Sequence, residues 1–293
     1  MNRNTPLVPR LAGPWRHLVS PPALERHASP RAQAVDFTLL QADDARWHLV
    51  ACVRGTSAPG SGRLTYRWSS DDLIGAPWTA MGIFRESDPT MGHEPHHLQA
   101  PFCVSDGGRW WMFCNSRGAH CLTGANGIDF AWTRNRAGSW TFFDMGRDLQ
   151  ILDNRQVDGL WYAYYTDPGA ADPLRHQHTV SCRTCPTLDG VWSPPVDVGV
   201  LGGAPRDPLY DFCEAESPFV IRRDGWYYRF QHLDVFASRS PTDWTGAVCT
   251  VLAPGRRRLL APEIVVDGER TWIAAYGYDD GLNGIYIAPL AWC

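Results

Sequence analysis

Short runs of apolar and aromatic residues recur along the chain, and each pair of runs is separated by a turn rich in Asp and Gly. Five of these turns lead into a run that opens on an aromatic residue. The spacing of roughly 45–65 residues between copies is too long for a helical hairpin and fits one four-stranded propeller blade. The tryptophans that mark the five copies are Trp47, Trp110, Trp161, Trp226 and Trp272.

Each copy pairs a strand before the turn with a strand after it, as in residues 36–40 and 47–52 of the first. Their near-continuous apolar character is typical of strands buried on both faces between neighbouring blades. Helical periodicity is nearly absent. The pattern predicts an all-β fold, a five-bladed β-propeller that forms a single domain over 1–293, with 1–30 as a lead-in segment. A third strand is predicted in four blades, at residues 66–72, 130–134, 180–184 and 236–240.

Composition narrows the choice of partners and compartment. Hydrophobic residues make up 44% of the 293, enough for a full core, and the net charge of −4 comes without a basic cluster beyond residues 256–258. Nucleic acid is therefore not predicted as a partner, and no apolar run is long enough to predict a membrane span. The nine cysteines fall mostly in predicted strands, which favours free thiols in a reducing, cytoplasmic compartment. Cys182 and Cys185 lack the second pair that a structural zinc would need.

Three blades place an acid at the start of the first strand: Asp36, Asp148 and Glu216. A propeller brings these strand starts to a common axis, so the three carboxyl groups are expected to converge. Mutual repulsion and lost solvation should raise the pKa of at least one of them and leave another ionised. Cleavage of a glycosidic bond needs one protonated acid and one carboxylate in this arrangement.

Three short motifs resemble the five-bladed propeller glycoside hydrolases of families 43 and 32. Residues 147–149 (Arg-Asp-Leu) keep two of the three residues of the fructan-cleaving family's blade-three motif, and residues 216–218 with 224–228 resemble the general-acid region of family 43. Residues 99–101 (Gln-Ala-Pro) resemble that family's Trp-Ala-Pro of blade two. The resemblance covers essentially the whole chain as a blade pattern.

The resemblance implies a role for each acid. Asp36 would be the general base, or the nucleophile if the enzyme retains configuration. Asp148 would tune the pKa of the acid and contact the sugar, and Glu216 would be the general acid. Arg147 would orient Asp148 or a sugar hydroxyl. Family 43 often has a His near a central calcium on blade five. Residues 260–263 lack that His, so no metal or other cofactor is predicted, although a central calcium stays open.

Further polar residues are candidate substrate contacts. His97 and Gln99 could bind a sugar hydroxyl, and Glu214 competes with Glu216 for the acid role. His232 ends the second strand of blade four, where a solvated strand end is an equal interpretation. Glu263 opens blade five and either faces the channel or partners an arginine. A polar cluster precedes blade two, for which lining a pocket or facing solvent is favoured over binding a metal: His93, Glu94, His96 and His97.

The sequence thus predicts an enzyme, a glycoside hydrolase acting on an oligosaccharide or small glycoside. Arabinofuranosides or fructofuranosides are expected because the resembled families favour those sugars. Two alternatives stay open. A glycoside phosphorylase would need a cationic phosphate pocket, for example from Arg147, Arg54 and the histidines of blade two. A non-catalytic carbohydrate-binding propeller would use the same channel without chemistry.

Overall fold

The structure is a computed structural model and describes residues 4–167, 179–199, 216–252, 259–278 and 281–293. Antiparallel sheets make up almost all of its regular structure, and they form five blades. Two short strands come first, β1 (Pro9–Leu11) and β2 (Arg16–Val19). The helices of the described chain are single turns, Pro89–Met91 and Arg155–Asp158, and neither has the length or the hydropathy to span a bilayer.

The first three blades follow in chain order. Blade one contains β3 (Gln33–Gln41), β4 (Trp47–Arg54), β5 (Leu64–Ser70) and β6 (Thr79–Arg85). Blade two contains β7 (Gln99–Asp106), β8 (Arg109–Asn115), β9 (Ala119–Gly124), β10 (Ala131–Thr133) and β11 (Thr141–Phe143). Blade three contains β12 (Arg147–Asp153), β13 (Trp161–Asp167), β14 (Thr179–Cys185) and β15 (Val196–Asp197).

Two more blades complete the propeller. Blade four contains β16 (Phe219–Arg223), β17 (Trp226–Gln231), β18 (Asp234–Ser238) and β19 (Val248–Val251). Blade five contains β20 (Leu260–Asp267), β21 (Arg270–Gly277) and β22 (Gly284–Trp292).

The two ends of the chain meet in blade five. Both β1 and β2 pair antiparallel with β22, so the predicted lead-in segment supplies the outer strands of the last blade. Residues near the start of the chain are thereby hydrogen-bonded to residues near its end, as in the pairing of Pro9 with Trp292. Because β1 and β2 cover one edge of β22 and β21 covers the other, β22 has no open edge. Propellers protect the edges of their sheets by such closure.

The predicted third strand of blade two is wrong. Within residues 130–134 the structure has β10, which lies at the edge of the sheet, whereas the third strand is β9. β9 contains no Trp, Tyr or Phe, and its Ala119 and His120 are buried. The predicted strand 180–184 falls within β14, and the predicted strands 66–72 and 236–240 overlap β5 and β18 but extend two residues beyond each.

The hub is closed by polar side chains that cross from one blade to the next. Each belongs to a first strand and bonds a backbone group of the first strand of the following blade. Glu263 Oε1 accepts from the Leu39 N–H at 3.1 Å, and Thr38 Oγ1 accepts from the Cys103 N–H at 3.2 Å. Gln150 bonds both backbone groups of Val220, accepting at 3.2 Å and donating at 3.1 Å. These clamps satisfy backbone groups at the hub and fix adjacent blades in register.

Replacing Gln150 with Leu tests the clamp between blades three and four. The substitution leaves the N–H and C=O of Val220 buried without this partner, which should lower the free energy of unfolding by about 1–3 kcal/mol. Urea denaturation measures the change. Gln156→Leu is the matched control because Gln156 is exposed, and it should stay within about 0.5 kcal/mol of the wild type. Equal stability of both variants would contradict the clamp.

Candidate active site

The first strand of every blade is distorted at the same place, where it reaches the hub. At this place in each blade, a non-glycine residue has a left-handed backbone: Asp36 (φ 37°), Ala100 (φ 46°), Asp148 (φ 59°), Ser217 (φ 52°) and Ala261 (φ 47°). In β3, β7, β12 and β20 the pairing register shifts across this residue, as at a β-bulge, and in blade four the residue lies just before β16. A positive φ is unfavourable for these residue types, so tertiary contacts must hold the conformation.

Proline explains part of this local geometry. Pro101, Pro218 and Pro262 follow the left-handed residue in three blades, and a proline has no N–H to donate to the ladder. The distorted segments line one central cavity, to which all five blades contribute. The lining consists of residues 36–37, 100–102, 148–150, 217–219 and 261–263.

Two of the three predicted acids line this cavity, and the third lies within electrostatic reach of them. Asp36 and Asp148 line it and occupy the same backbone position in blades one and three. Glu216 comes one residue earlier in its blade, directly before Ser217. Counting residues back from the tryptophan of each blade does not reveal this offset, because the turn between the first and second strands differs in length from blade to blade. Blade three, for example, has a helical turn at Arg155–Asp158 where Asp224 and Gly225 suffice in blade four.

Arg147 connects two of the acids. Its Nε donates to Glu216 Oε1 at 2.6 Å and lies 3.4 Å from Asp148 Oδ2. Asp148 Oδ2 also accepts from the Thr166 hydroxyl at 3.2 Å, and the same hydroxyl oxygen accepts from the Ser217 N–H at 2.9 Å. Blades three and four are thus linked through the side chains of the site itself.

The surroundings of Asp36 and Asp148 affect the pKa values of the two carboxyl groups differently. Burial raises the pKa of Asp148 well above its ordinary value, and the charges of Asp36 and Glu216 raise it further against the opposing effect of Arg147. Burial also raises the pKa of Asp36, but there the positive charges of Arg63 and Arg54 oppose the rise. Since two cations face Asp36, the ionised form is better stabilised on Asp36 than on Asp148.

The predicted substrate contacts have different outcomes. Gln99 is buried, and its Nε2 donates to Asn115 Oδ1 at 3.1 Å, while its Oε1 has no hydrogen-bond partner among the described residues. His97 contacts Glu94, with 2.8 Å between Nδ1 and Oε2, on the connection that precedes β7. His232 directly follows β17 and has a left-handed backbone (φ 52°). Phe230, two residues earlier, pairs with Phe219 at the hub end of blade four. Glu214 lies outside the described residues.

Glu263 lines the cavity, which agrees with the interpretation that it faces the channel. Its described hydrogen-bond partners belong to blade one. Besides the Leu39 N–H, its Oε1 accepts from the Thr38 hydroxyl at 3.3 Å, and within the described chain no arginine pairs with it. Its Oε2 is buried and has no partner among the described residues. Burial raises the pKa of Glu263 to about 8, so near neutral pH the neutral acid predominates.

The hub residues do not fit the central calcium that family 43 would suggest. Two residues beyond each left-handed position, the five blades present Thr38, Phe102, Gln150, Phe219 and Glu263. The rings of Phe102 and Phe219 pack against each other with centroids 5.8 Å apart, and the Gln150 amide is engaged with Val220. Calcium takes six to eight oxygen ligands, and these five side chains include a single carboxyl group and two phenyl rings, which do not fit such a shell.

Residues from second strands and loops complete the site, and the sequence patterns did not assign them to it. Arg54 ends β4, donates to Gln33 Oε1 at 2.9 Å and lies 4.6 Å from the ring centroid of Tyr278. The sequence suggests a role for Arg54 only in the phosphate pocket of the alternative phosphorylase function. Tyr276 of β21 is buried within electrostatic reach of Asp36. Tyr278 is 40% exposed and stacks on Tyr276, which leaves an aromatic face beside the site.

No protein-family model matches the sequence, and no curated protein matches it either. Several solved structures match the fold of the chain. A thermostable family-43 glycoside hydrolase superposes with a TM-score of 0.62 at 17% identity, with 92% of each chain covered. The catalytic domain of the Coprinopsis cinerea GH62 alpha-L-arabinofuranosidase gives 0.63 at 14% identity and 98% of each chain. The GH43_1 enzyme from Xanthomonas citri complexed with xylose gives 0.62 at 14% identity, covering 94% of this chain and 91% of that one.

These likenesses confirm the predicted fold. The chain has the five-bladed β-propeller architecture of glycoside hydrolase families 43 and 62, over nearly its whole length. The identities are low, so the correspondence holds for the backbone arrangement of the blades. What this chain does is a separate question, to be decided by the chemistry of its cavity.

Replacing Glu263 with Gln should change how stability depends on pH. The folded protein keeps the carboxyl proton up to a pKa of about 8, whereas the unfolded chain releases it near the ordinary value of 4.5. Stability from the neutral acid is therefore complete below pH 4.5 and is lost as pH rises towards 8, by up to about 1.4 kcal/mol per pH unit. Gln cannot ionise and keeps an acceptor for the Leu39 N–H, so Glu263→Gln should lack this decline.

Urea denaturation at pH 5, 6.5 and 8 measures the effect. The free energy of unfolding of the wild type should fall relative to that of Glu263→Gln across the series. Glu269→Gln, at an exposed position of the same blade, is the control and should follow the wild type. Parallel profiles for the wild type and Glu263→Gln would show that Glu263 is ionised in the folded protein.

Proposed function

We propose that the protein is a glycoside hydrolase whose active site is the hub cavity. The observation that carries the proposal is the position of Asp36 and Asp148 on one cavity, with Glu216 within electrostatic reach of both and arginines beside them. Glycosidic bond cleavage uses two carboxyl groups that flank the bond in opposite protonation states. Asp36 and Glu216 are the proposed pair.

Asp36 is proposed as the general base or nucleophile. That role needs an ionised carboxylate, and Arg54 and Arg63 favour the ionised form of Asp36 against the effect of burial. The left-handed backbone at Asp36 directs its side chain into the cavity rather than along the ladder of β3. A carboxylate within electrostatic reach of two cations suits the activation of water or attack at an anomeric carbon.

Asp148 is proposed as the residue that tunes the acid and contacts the sugar. Burial and the charges of Asp36 and Glu216 raise its pKa well above the ordinary value, which favours the protonated form that can donate a hydrogen bond to a sugar hydroxyl. Its hydrogen bond from the Thr166 hydroxyl fixes the orientation of the carboxyl group. Protonation of Asp148 would reduce its repulsion with Asp36 and Glu216.

Glu216 is proposed as the general acid, with Arg147 as its positioning residue. Arg147 Nε donates to Glu216 Oε1 at 2.6 Å. A guanidinium group has five N–H donors, so a sugar hydroxyl can take part of this contact when substrate enters. Glu216 would then face the glycosidic oxygen, and proton transfer would occur inside the cavity.

The proposed substrate is a furanoside, and an arabinofuranoside is the first to test. Several similar structures are described as alpha-L-arabinofuranosidases, among them those from Coprinopsis cinerea, Podospora anserina and Lactobacillus brevis. One is a beta-xylosidase, which makes xylosides the second class to test. Tyr278, exposed beside Arg54, offers the aromatic face on which a sugar ring can stack.

The acid role of Glu216 predicts a dependence on the leaving group. With a poor leaving group such as an alkyl or sugar alcohol, Glu216→Gln should lower kcat/KM by about 10²–10⁴-fold, because no group protonates the departing oxygen. With 2,4-dinitrophenyl arabinofuranoside, which departs without protonation, the loss should be far smaller. Asp36→Ala should lower kcat/KM for both substrates to a similar extent, since its role does not involve the leaving group.

Glu269→Gln is the control and should keep wild-type rates on both substrates. Equal losses for Glu216→Gln on the two substrates would contradict the acid assignment. Full activity of both active-site variants would favour a binding propeller without catalysis. Product released only in the presence of inorganic phosphate, as a sugar phosphate, would show phosphorolysis in place of hydrolysis.

A further inference from the structure

A second group of potential ligands lies at the edge of the site and is not used by the proposed chemistry. One nitrogen of His27, one nitrogen of His96 and one carboxylate oxygen of Glu86 all lie within 4.8 Å of one another. His27 Nε2 is already 3.0 Å from Glu86 Oε1, and the rings of the two histidines meet edge to face with centroids 5.6 Å apart. The three residues come from segments that are distant in sequence.

Each of the three residues is placed by a different part of blade one or its connections. His27 belongs to the segment between β2 and β3, Glu86 directly follows β6, and His96 lies on the connection that leads into β7. His96 Nδ1 is buried and has no hydrogen-bond partner among the described residues. A ring nitrogen without a hydrogen bond is available to bind a metal ion.

We propose that His27, Glu86 and His96 bind a zinc-like divalent transition-metal ion. Two imidazoles and one carboxylate form a ligand set that zinc takes in proteins, with a water molecule as the fourth ligand. Ligand atoms about 2.0–2.2 Å from zinc lie roughly 3.3 Å apart in a tetrahedron. The pair His27–Glu86 is already near that spacing, and rotation of partly exposed side chains closes the rest.

Arg26 is the charge that opposes a cation here. It pairs with Glu86 Oε2, whereas Oε1 faces His27, so a metal ion and Arg26 can use different oxygens of the same carboxylate. The Arg26 side chain is 63% exposed and can move towards solvent. Protonated imidazoles cannot bind a metal, so acid is expected to weaken metal binding at the proposed site.

The proposed metal would hold a loop that reaches the catalytic acids. The carbonyl oxygen of His27 accepts from the Ser57 N–H at 3.0 Å, and that of His96 accepts from the Arg63 N–H at 2.8 Å. The loop of residues 55–63 is therefore anchored at both ends to the two histidines. Arg63 is one of the cations that oppose the raised pKa of Asp36. A metal ion joining the histidines would fix the backbone from which Arg63 extends.

Isothermal titration of the chelator-treated, untagged full chain with ZnCl₂ at pH 7.5 tests the proposal. The wild type should bind one equivalent at this site. His27→Ala and His96→Ala should each lose that equivalent or bind it at least tenfold more weakly. His17→Ala, an exposed histidine of β2, is the matched control and should bind as the wild type does. CaCl₂ should give no binding at this site, because calcium disfavours imidazole ligands.

Thermal unfolding supplies a second readout on the same proteins. Zinc should raise the Tm of the wild type and of His17→Ala, and should not raise that of His96→Ala. Glu86→Gln, which keeps the size of the side chain, replaces His96→Ala if that variant fails to fold. Binding unchanged in both His27→Ala and His96→Ala would overturn the proposal, since zinc would then be held elsewhere, for example at the exposed Cys249 or Cys293. Absence of zinc binding by the wild type would overturn it as well.

Discussion

The distortion of the five first strands at the hub is the constraint on which the rest of the structure depends. A regular strand would direct alternate side chains into the spaces between blades. The left-handed residue in each blade interrupts that alternation and leads the backbone around the cavity. Ala100 and Ala261 adopt this conformation without a polar side chain to stabilise it, at a cost of about 1–2 kcal/mol each. The fold therefore imposes the geometry in all five blades, and blades one and three use it to place an aspartate in the cavity.

Two sets of hydrogen bonds keep this hub closed, and they share residues with the site. The clamps of Thr38, Gln150 and Glu263 join first strands of successive blades. The link from Asp148 through Thr166 to Ser217 joins blades three and four inside the cavity. Since the groups that hold the blades together also surround the acids, the packing of the hub and the protonation of the site are coupled. A neutral Glu263 favours the packed hub and adds no negative charge to the cavity that Asp36 and Asp148 line.

The sequence predicted the parts that repeat. The Asp/Gly turns and the tryptophans after them identified all five blades, and the acids at the starts of first strands identified the residues at the cavity. The offset of Glu216 was not predicted, because counting back from a tryptophan includes the length of the turn. Arg54, Arg63 and Tyr276 come from second strands and a loop, where no repeated pattern marks them. His27 and His96 are 69 residues apart in the sequence, and Glu86 lies between them. No local sequence pattern therefore connects the three residues. His96 alone belongs to the polar cluster that precedes blade two.

The central claim is that Asp36 and Glu216 flank one bound sugar in the hub cavity. A crystal structure of Glu216→Gln with an uncleaved arabinofuranoside tests it most directly. The account predicts the anomeric carbon in the cavity between the Asp36 carboxylate and the side chain of residue 216. The Asp36 carboxylate and the side-chain amide of residue 216, which replaces the carboxyl group, are expected to be about 5–9.5 Å apart, the range over which carboxyl pairs cleave glycosidic bonds. A sugar bound outside the cavity, or a wider separation of the two side chains, would contradict the account.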